Sequence, residues 1–211
     1  LVGSEMCIRD RYYSEKLDVG YQPEIFDIEN GYLSGYWQCE KYFKEFRAEL
    51  LELFRFPQNQ INEASRKMQD QICREQAVAV HVRRGDYLLP ENNRKYGNIC
   101  TLQYYRNAMQ YMKEKVSDAR FYFFSNDPEW VRENLSEGDS VIVNCNHGKE
   151  NYLDMYLMSQ CSHNIIANSS FSWWGAWLNR NSDKIIVSPK RWFSHLDVSD
   201  AVCEDWIRIN G

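Results

Sequence analysis

The feature that most restricts the fold of this chain is a regular alternation of strand-type and helix-type segments between residues 77 and 188. Short apolar runs rich in Val, Ile and Phe predict strands at 77–82, 120–125, 140–144, 164–167 and 184–188. The segments between them predict helices at 102–115, 128–135, 152–161 and 171–179. Because strands that alternate with helices form parallel sheets, the sequence predicts an α/β fold with a mostly parallel, doubly wound sheet.

The residues before the first of these strands follow other patterns. The segment 21–37 is aromatic and turn-rich, and a helix is predicted over 43–54, ending before Pro57, with a more polar helix at 62–74. The first eleven residues fit neither pattern, and their "SEMCIRDR" resembles translated adapter sequence found at the ends of unrelated chains. We therefore expect residues 1–11 to be a non-native leader.

Polar residues follow three of the predicted strands at the point where each strand ends. They are His81, Arg83, Arg84 and Asp86 after the first, Asp127 after the second, and Asn168 to Ser172 after the fourth. Ligands of open α/β sheets bind outside the carboxyl ends of the strands. Arginine forks bind phosphate oxygens, and the amides and serines at a helix N-terminus bind anions. The pattern predicts a nucleotide site, with arginines and serines for a pyrophosphate and an aspartate for the nucleoside.

Each of these residues also has a purely structural interpretation. Arg83 and Asp86 could form a surface ion pair, and Asp127 and Ser170 could cap helices. His81 could be a hydrogen-bonded core residue, as could the tryptophans at 173, 174 and 177. The coincidence of three polar clusters at one edge of a sheet favours the functional interpretation.

Composition narrows the class of partner. The chain has 25 Lys and Arg against 30 Asp and Glu, a net charge of −5 that does not suit nonspecific binding of nucleic acid. Its 7 cysteines are scattered without a Cys-x-x-Cys pair, which predicts reduced thiols in a cytoplasmic protein and argues against a zinc site. No apolar run is long enough to span a membrane, and no Asp-x-Asp pair is available to bind a metal-complexed sugar nucleotide.

The motifs "HVRRGDY", "FFSNDPEWV" and "NSSFSWWGAWLN", in this order, resemble those of the α-1,2-fucosyltransferase family. The upstream "GYLSGYWQCEKYF" resembles the acceptor-side half of that family, so the resemblance covers the chain from Tyr21 onward. It implies a GT-B-like enzyme with two Rossmann-like domains. Residues 12–75 would be a remnant of the N-terminal acceptor-side domain, and residues 76–211 the C-terminal domain that binds the GDP-sugar.

The resemblance also implies a reaction. L-fucose would pass from GDP-β-L-fucose to the 2-hydroxyl of a terminal galactoside with inversion, without a metal or other cofactor. The partners would be GDP-fucose and a galactose-terminated glycan such as an O-antigen repeat. The expected location is the cytoplasm, with peripheral attachment to a bacterial inner membrane as a further option.

Specific residues receive roles from this resemblance. Arg83 would bind the β-phosphate with support from Arg84, and Ser169, Ser170 and Phe171 would close on the phosphates. His81 and Asp127 would hold the guanosine. Asp86 is the candidate general base, although it could instead orient one of the arginines.

One family feature has no counterpart here. The family begins with a strand and a glycine-rich loop close to Gly-Gly-Leu-Gly-Asn-Gln, and no segment of this sequence matches it. We therefore expect the chain to be an incomplete and inactive form of a fucosyltransferase. Two alternatives remain: a non-catalytic module that binds GDP or glycans, and a transferase that uses another GDP-sugar.

Overall fold

A computed structural model of the chain describes residues 12–16, 20–196 and 199–211. Its strands are β1 (Tyr12–Ser14), β2 (Tyr32–Ser34), β3 (Gln76–Val82), β4 (Ala119–Ser125), β5 (Val141–Val143), β6 (His163–Ile165), β7 (Ile186–Pro189) and β8 (Ile207–Ile209). Its helices are α1 (Arg47–Leu53), α2 (Glu63–Ile72), α3 (Pro90–Tyr96), α4 (Leu102–Lys115), α5 (Pro128–Asn134), α6 (Tyr152–Gln160) and α7 (Ser170–Trp177). The predicted leader lies outside the described residues.

A six-stranded sheet, with every pair parallel, organises the part of the chain after residue 75. Its strand order is β5-β4-β3-β6-β7-β8. The chain therefore builds outward from β3 in one direction, returns to the other side of β3, and then builds outward again. The point where the direction reverses lies between β3 and β6, and ligands bind outside the carboxyl ends of the strands at such a point.

Helices cover both faces of this sheet, as a doubly wound fold requires. On one face Val78, Val80 and Val82 of β3 pack with residues of α4, including Tyr104 and Tyr105. On the other face the alternate β3 residues pack with α2 and α6 in a second cluster that includes Ala77, Ala79, Ile72 and Leu157. Because both faces are covered, β3 has a continuous apolar run at 77–80 rather than an alternating pattern, and six of its seven residues are buried. The predicted α/β class is confirmed.

The tryptophans of α7 form a third cluster with the end of the chain. Trp173 and Trp177 are each 1% exposed and pack with Trp206 and Val202. The Trp173 Nε1 group donates a hydrogen bond to the Ala201 carbonyl at 2.8 Å. The core interpretation is therefore the correct one for Trp173 and Trp177.

Most predicted elements occur within a few residues of their expected bounds, and the helix at 102–115 occurs at those bounds. The helix predicted over 43–54 is wrong in its first half. Two 3-10 turns, Glu40–Tyr42 and Lys44–Phe46, precede a short α1, and the turns are separated at Phe43, where φ is −143°. Phe43 instead packs its ring on Trp173 and Trp177, and this tertiary contact outweighs the helical spacing.

The segment before β3 packs on the same sheet as the rest of the chain. Ile61 and Ile72 belong to the cluster between the sheet and α6, although the sequence assigned them to the acceptor-side remnant. The division at residue 75 stays a prediction. Within the described ranges, every helix is too short or too polar to cross a lipid bilayer.

Candidate functional site

Two clefts meet at the carboxyl ends of β3 and β6. The asparagine cleft, of about 460 Å³, is lined by asparagines that include Asn126, Asn144, Asn146 and Asn151. The aromatic cleft, of about 430 Å³, is lined by rings that include Tyr36, Tyr42, Tyr87, Tyr96, Trp192 and Phe193. Arg83 and Phe171 line both clefts. The structure therefore places two residues predicted for the site on the wall between two adjoining cavities.

One nitrogen of the Arg83 guanidinium pairs with a carboxylate, and another has no hydrogen-bond partner among the described residues. Its Nη2 atom lies 2.7 Å from Asp86 Oδ1, and its guanidinium lies 5.5 Å from the centre of the Tyr87 ring. Its Nε atom is buried and has no hydrogen-bond partner among the described residues. A buried donor without a partner costs roughly 1–3 kcal/mol, and a bound anion would supply that partner. Arg83 Nε is therefore a candidate contact for a ligand.

His81 lines the asparagine cleft from the end of β3 and is 5% exposed. Burial, together with the nearby Arg83 charge, lowers the pKa of His81 to about 3, so the ring is neutral near pH 7. Its Nδ1 atom is also buried and has no hydrogen-bond partner among the described residues. The ring of Phe171 lies 5.7 Å away, between centroids. His81 is thus packed like a core residue and still presents an unpaired nitrogen beside Arg83.

The N-terminus of α7 supplies backbone donors at the same place. The helix begins at Ser170, and the Ser169 hydroxyl makes no capping hydrogen bond. The amides of the first turn of a helix have no carbonyl partner within it, and they attract anions. Ser169, Ser170 and Phe171 all line the aromatic cleft. Their contact with the phosphates stays a prediction.

Asn168 holds the loop before α7 in position. Its side-chain Nδ2 group donates to the backbone carbonyls of Tyr96 and Trp192, both at 3.1 Å. Its backbone carbonyl accepts from the Tyr87 hydroxyl at 2.9 Å. Asn168 is 2% exposed. These hydrogen bonds hold the loop that leads into α7, and so fix the position of the N-terminus of that helix.

Arg84 and Asp127 are bonded to each other and line neither of the two clefts. Arg84 Nε donates to Asp127 Oδ2 at 3.0 Å, and the Arg84 guanidinium lies 4.2 Å from the centre of the Trp130 ring. Asp127 Oδ1 accepts from the Trp130 amide at 3.1 Å, which caps α5. The helix-cap interpretation of Asp127 thus describes its contacts here, while its contact with guanosine stays a prediction. Through these contacts with Asp127 and Trp130, Arg84 supports the fold at the start of α5.

These contacts predict that Arg84→Ala will affect stability more than ligand binding. We expect a loss of about 1 kcal/mol, because a partly exposed ion pair and a stacked guanidinium each contribute at most about 1 kcal/mol. GDP affinity should stay within about threefold of wild type. Urea denaturation and a calorimetric GDP titration measure the two quantities. A tenfold loss of affinity at unchanged stability would instead place Arg84 in the ligand site.

Asp154 and Asn146 of the asparagine cleft were missed by the sequence analysis. Asn146 Nδ2 donates to Asp154 Oδ1 at 2.8 Å. Burial raises the pKa of Asp154 to about 6, although the Asn146 hydrogen bond acts in the opposite direction. The available signal was a lone acidic residue in "YLDMYLM", an otherwise apolar helix.

The aromatic cleft has three carboxylates in its wall, those of Glu15, Asp86 and Asp200. Asp86 bonds to Arg83 and has a side chain 44% exposed, while Glu15 Oε2 accepts from the Tyr36 amide at 2.6 Å. The Tyr87 and Tyr96 rings stack at 5.1 Å between centroids. Aromatic walls with a few polar groups are typical of sites that bind small organic ligands.

Candidate metal ligands lie elsewhere. Within the described ranges, the one group with suitable spacing is Glu40, Cys203 and Asp205, and none of these residues lines either cleft. The absence of a metal requirement stays a prediction.

A parallel sheet whose switch point carries a buried arginine, a helix N-terminus and two clefts has the architecture typical of nucleotide-binding α/β proteins. Residues 21–210 match the profile of glycosyl transferase family 11, and the chain belongs to this family. The resemblance to the α-1,2-fucosyltransferase family is thereby confirmed.

The relatives carry names that agree with the family. The chain is 39% identical over 201 residues to an α-1,2-colitosyltransferase of Escherichia coli, a match that covers 93% of this chain and 67% of that protein. It is 33% identical over 187 residues to the O-antigen biosynthesis glycosyltransferase WbnK of Escherichia coli, covering 86% of this chain and 62% of that protein. It is 37% identical over 103 residues to galactoside α-(1,2)-fucosyltransferase 1 of Ateles belzebuth, covering 48% and 28%. The chain thus spans about two thirds of the length of its bacterial relatives.

Proposed function

We propose that the protein is a glycosyltransferase that moves L-fucose from GDP-β-L-fucose to the 2-hydroxyl of a terminal galactoside, with inversion at the anomeric carbon. The observation that carries the proposal is the buried Nε of Arg83, which has no hydrogen-bond partner among the described residues. Arg83 lies on the wall between the two clefts and lines the aromatic cleft together with the N-terminus of α7. Membership of glycosyl transferase family 11 supports it.

The two clefts suit the two ends of a sugar nucleotide. The asparagine cleft contains His81, Asp154 and several amide side chains, which are groups that pair with the edge of a nucleobase. The pyrophosphate would lie between Arg83 and the first turn of α7, and the sugar would extend toward the aromatic cleft. The acceptor galactoside would enter the aromatic cleft from the side of Tyr36, which is 79% exposed.

The roles proposed for the site residues follow from the negative charge that develops on the departing GDP. The acceptor oxygen bonds to the anomeric carbon as the bond from that carbon to the β-phosphate oxygen breaks, and GDP leaves with the electron pair. Arg83 and the α7 amides would stabilise this negative charge, because they are already oriented before reaction. The hydroxyl proton would pass to Asp86, which lies in the aromatic cleft next to Arg83.

A related donor is the second candidate. The most extensive of the three matches is to a colitosyltransferase, at 39% identity over 93% of this chain. Colitose is fucose without its 3-hydroxyl, so GDP-colitose would fit the same nucleotide site. Groups that contact the sugar, and not the nucleotide site, would then decide whether the enzyme uses GDP-fucose or GDP-colitose.

The experiment is a donor panel assayed by product mass. The chain is tested alone and as an extended chain, joined to the part of the colitosyltransferase that the match leaves uncovered. The donors are GDP-fucose, GDP-colitose and GDP-mannose, with a β-galactoside acceptor. We expect the extended chain to transfer fucose. Transfer of colitose alone would support the second candidate. GDP binding without turnover of any donor in the folded, extended chain would favour a non-catalytic module.

A further inference from the structure

We propose that Asn62 and Ser65, at the start of α2, are positioning residues for recognition of the nucleotide base. They orient Asn146, and Asn146 in turn orients the Asp154 carboxylate in the asparagine cleft toward adjacent N–H donors of a guanine. The inference rests on the proposed use of a GDP-sugar donor.

The hydrogen bonds at the start of α2 fix the orientation of Asn62. Its Oδ1 atom accepts from the Ser65 amide at 2.8 Å as the cap of the helix, so its Nδ2 group must point the other way. That Nδ2 group donates to Asn146 Oδ1 at 3.0 Å and lies 3.2 Å from Glu150 Oε2. The helix cap thus determines which side of Asn62 is presented to Asn146.

Ser65 supplies a second donor to the same acceptor. Its hydroxyl donates to Asn146 Oδ1 at 2.9 Å, and Ser65 is fully buried while Asn146 is 5% exposed. With its Oδ1 held by two donors, Asn146 presents its Nδ2 group to Asp154 Oδ1 at 2.8 Å. The hydrogen bonds run in one direction, from Asn62 and Ser65 to Asn146 and from Asn146 to the Asp154 carboxylate. A carboxylate that accepts such a bond is stabilised in its ionised form.

The other carboxylate oxygen of Asp154 is available to a ligand. Within the described part of the chain, Oδ2 accepts no hydrogen bond, and Asp154 lines the asparagine cleft. Guanine carries N1–H and N2–H donors side by side, and a carboxylate accepts from such a pair. Adenine presents an acceptor at N1 and would meet repulsion. The network would therefore distinguish nucleotides by their base and not by their phosphates.

Other charged or titratable groups share this environment. His147 and Glu150 lie between β5 and α6, and His81 and Arg83 enter the same cleft from the end of β3. His81 is neutral near pH 7 because burial lowers its pKa. Comparison of two ligands with identical phosphates cancels the contribution of the remaining charges to binding.

The test compares GDP with IDP, whose base lacks the 2-amino group, by calorimetric titration from pH 5 to pH 8. We expect wild type to prefer GDP about tenfold above pH 7, the value of one charge-assisted hydrogen bond. The preference should fall as pH drops below about 6, because the Asp154 pKa is raised to that value and a protonated carboxyl accepts hydrogen bonds poorly. Asp154→Asn should abolish both the preference and its pH dependence.

The positioning role is tested with two variants of the network. Ser65→Ala removes one donor to Asn146, and Asn62→Ser removes the other while keeping a good helix cap. Each should reduce the GDP preference to about threefold and move its midpoint to higher pH, because Asp154 then loses support for its charge. Lys67→Ala, an exposed change on the same helix, is the matched control and should behave as wild type.

The outcomes separate the alternatives. Folded variants that are less stable but keep the wild-type preference and midpoint would show that the network only joins α2 to α6, and would overturn the proposal. Wild type that binds GDP and IDP equally would overturn base recognition by Asp154. Failure of folded wild type to bind either nucleotide would instead overturn the proposed donor. If Ser65→Ala does not fold, Asn62→Ser decides, because its cap is retained.

Discussion

Replacement of Arg83 by alanine should weaken GDP binding by about ten- to a hundredfold. A charge-assisted hydrogen bond is worth roughly 1.5–3 kcal/mol, and each 1.4 kcal/mol is a factor of ten in affinity. Arg83 is the residue on which this loss should concentrate, because its buried Nε atom has no hydrogen-bond partner in the part of the chain that the structure describes, and its side chain lines the same cleft as the α7 N-terminus. Calorimetric titration of GDP into wild type and variant measures the effect.

Two further variants make the Arg83 experiment decisive. Arg83→Lys keeps the charge without the planar fork and should recover part of the affinity. Arg84→Ala removes a neighbouring arginine that is bonded to Asp127 and should leave affinity nearly unchanged. Equal losses in the two alanine variants would contradict a specific role for Arg83 and would point to general attraction of an anion by positive charge.

Replacement of Trp173 by alanine should lower the free energy of unfolding by about 3–5 kcal/mol, the usual range for removal of a buried large aromatic side chain. Trp173 is 1% exposed, and its ring lies 6.2 Å from that of Trp177 and 5.6 Å from that of Trp206, between centroids. The variant also loses the hydrogen bond to Ala201. Equilibrium urea denaturation measures the change.

Trp174→Ala is the matched control, because Trp174 is the next residue of the same helix and is only partly buried. Its loss should cost clearly less than the loss of Trp173. A cost for Trp173→Ala below about 1 kcal/mol would mean that the tryptophan cluster does not hold α7 against the sheet. Because α7 carries Ser170 in its first turn, a destabilised Trp173 variant should also bind GDP more weakly.

The sheet could be predicted because its strands are buried on both faces and are therefore continuous apolar runs. The elements that were missed lack this property. Helix α3 has the polar sequence "PENNRKY" with no apolar periodicity, and β8 is a three-residue strand with an exposed arginine in the middle. Their positions depend on tertiary contacts, such as the pairing of β8 with β7.

The candidate site was predictable only where it follows the strand-end rule. That rule identified His81, Arg83 and the start of α7, because each lies at the carboxyl end of a strand or in the segment that follows it. It was not applied to Asn146, which lies in the loop after β5, and it does not cover Asp154, which lies on helix α6. It also treated the two adjacent arginines as similar, although one lines both clefts and the other bonds to a helix cap.

The different contacts of the two arginines follow from the pleat of β3. Val78, Val80 and Val82 point into one helical layer, and Arg84 continues that even-numbered series toward Trp130, which packs with the same layer. Ala77 and Ala79 point into the opposite layer, and His81 continues the odd-numbered series toward Phe171 of that layer, next to Arg83. A one-residue slip in the register of β3 would therefore exchange the faces of the whole series. The odd or even position along this one strand thus decides which arginine lines the two clefts and which one bonds to the cap of α5.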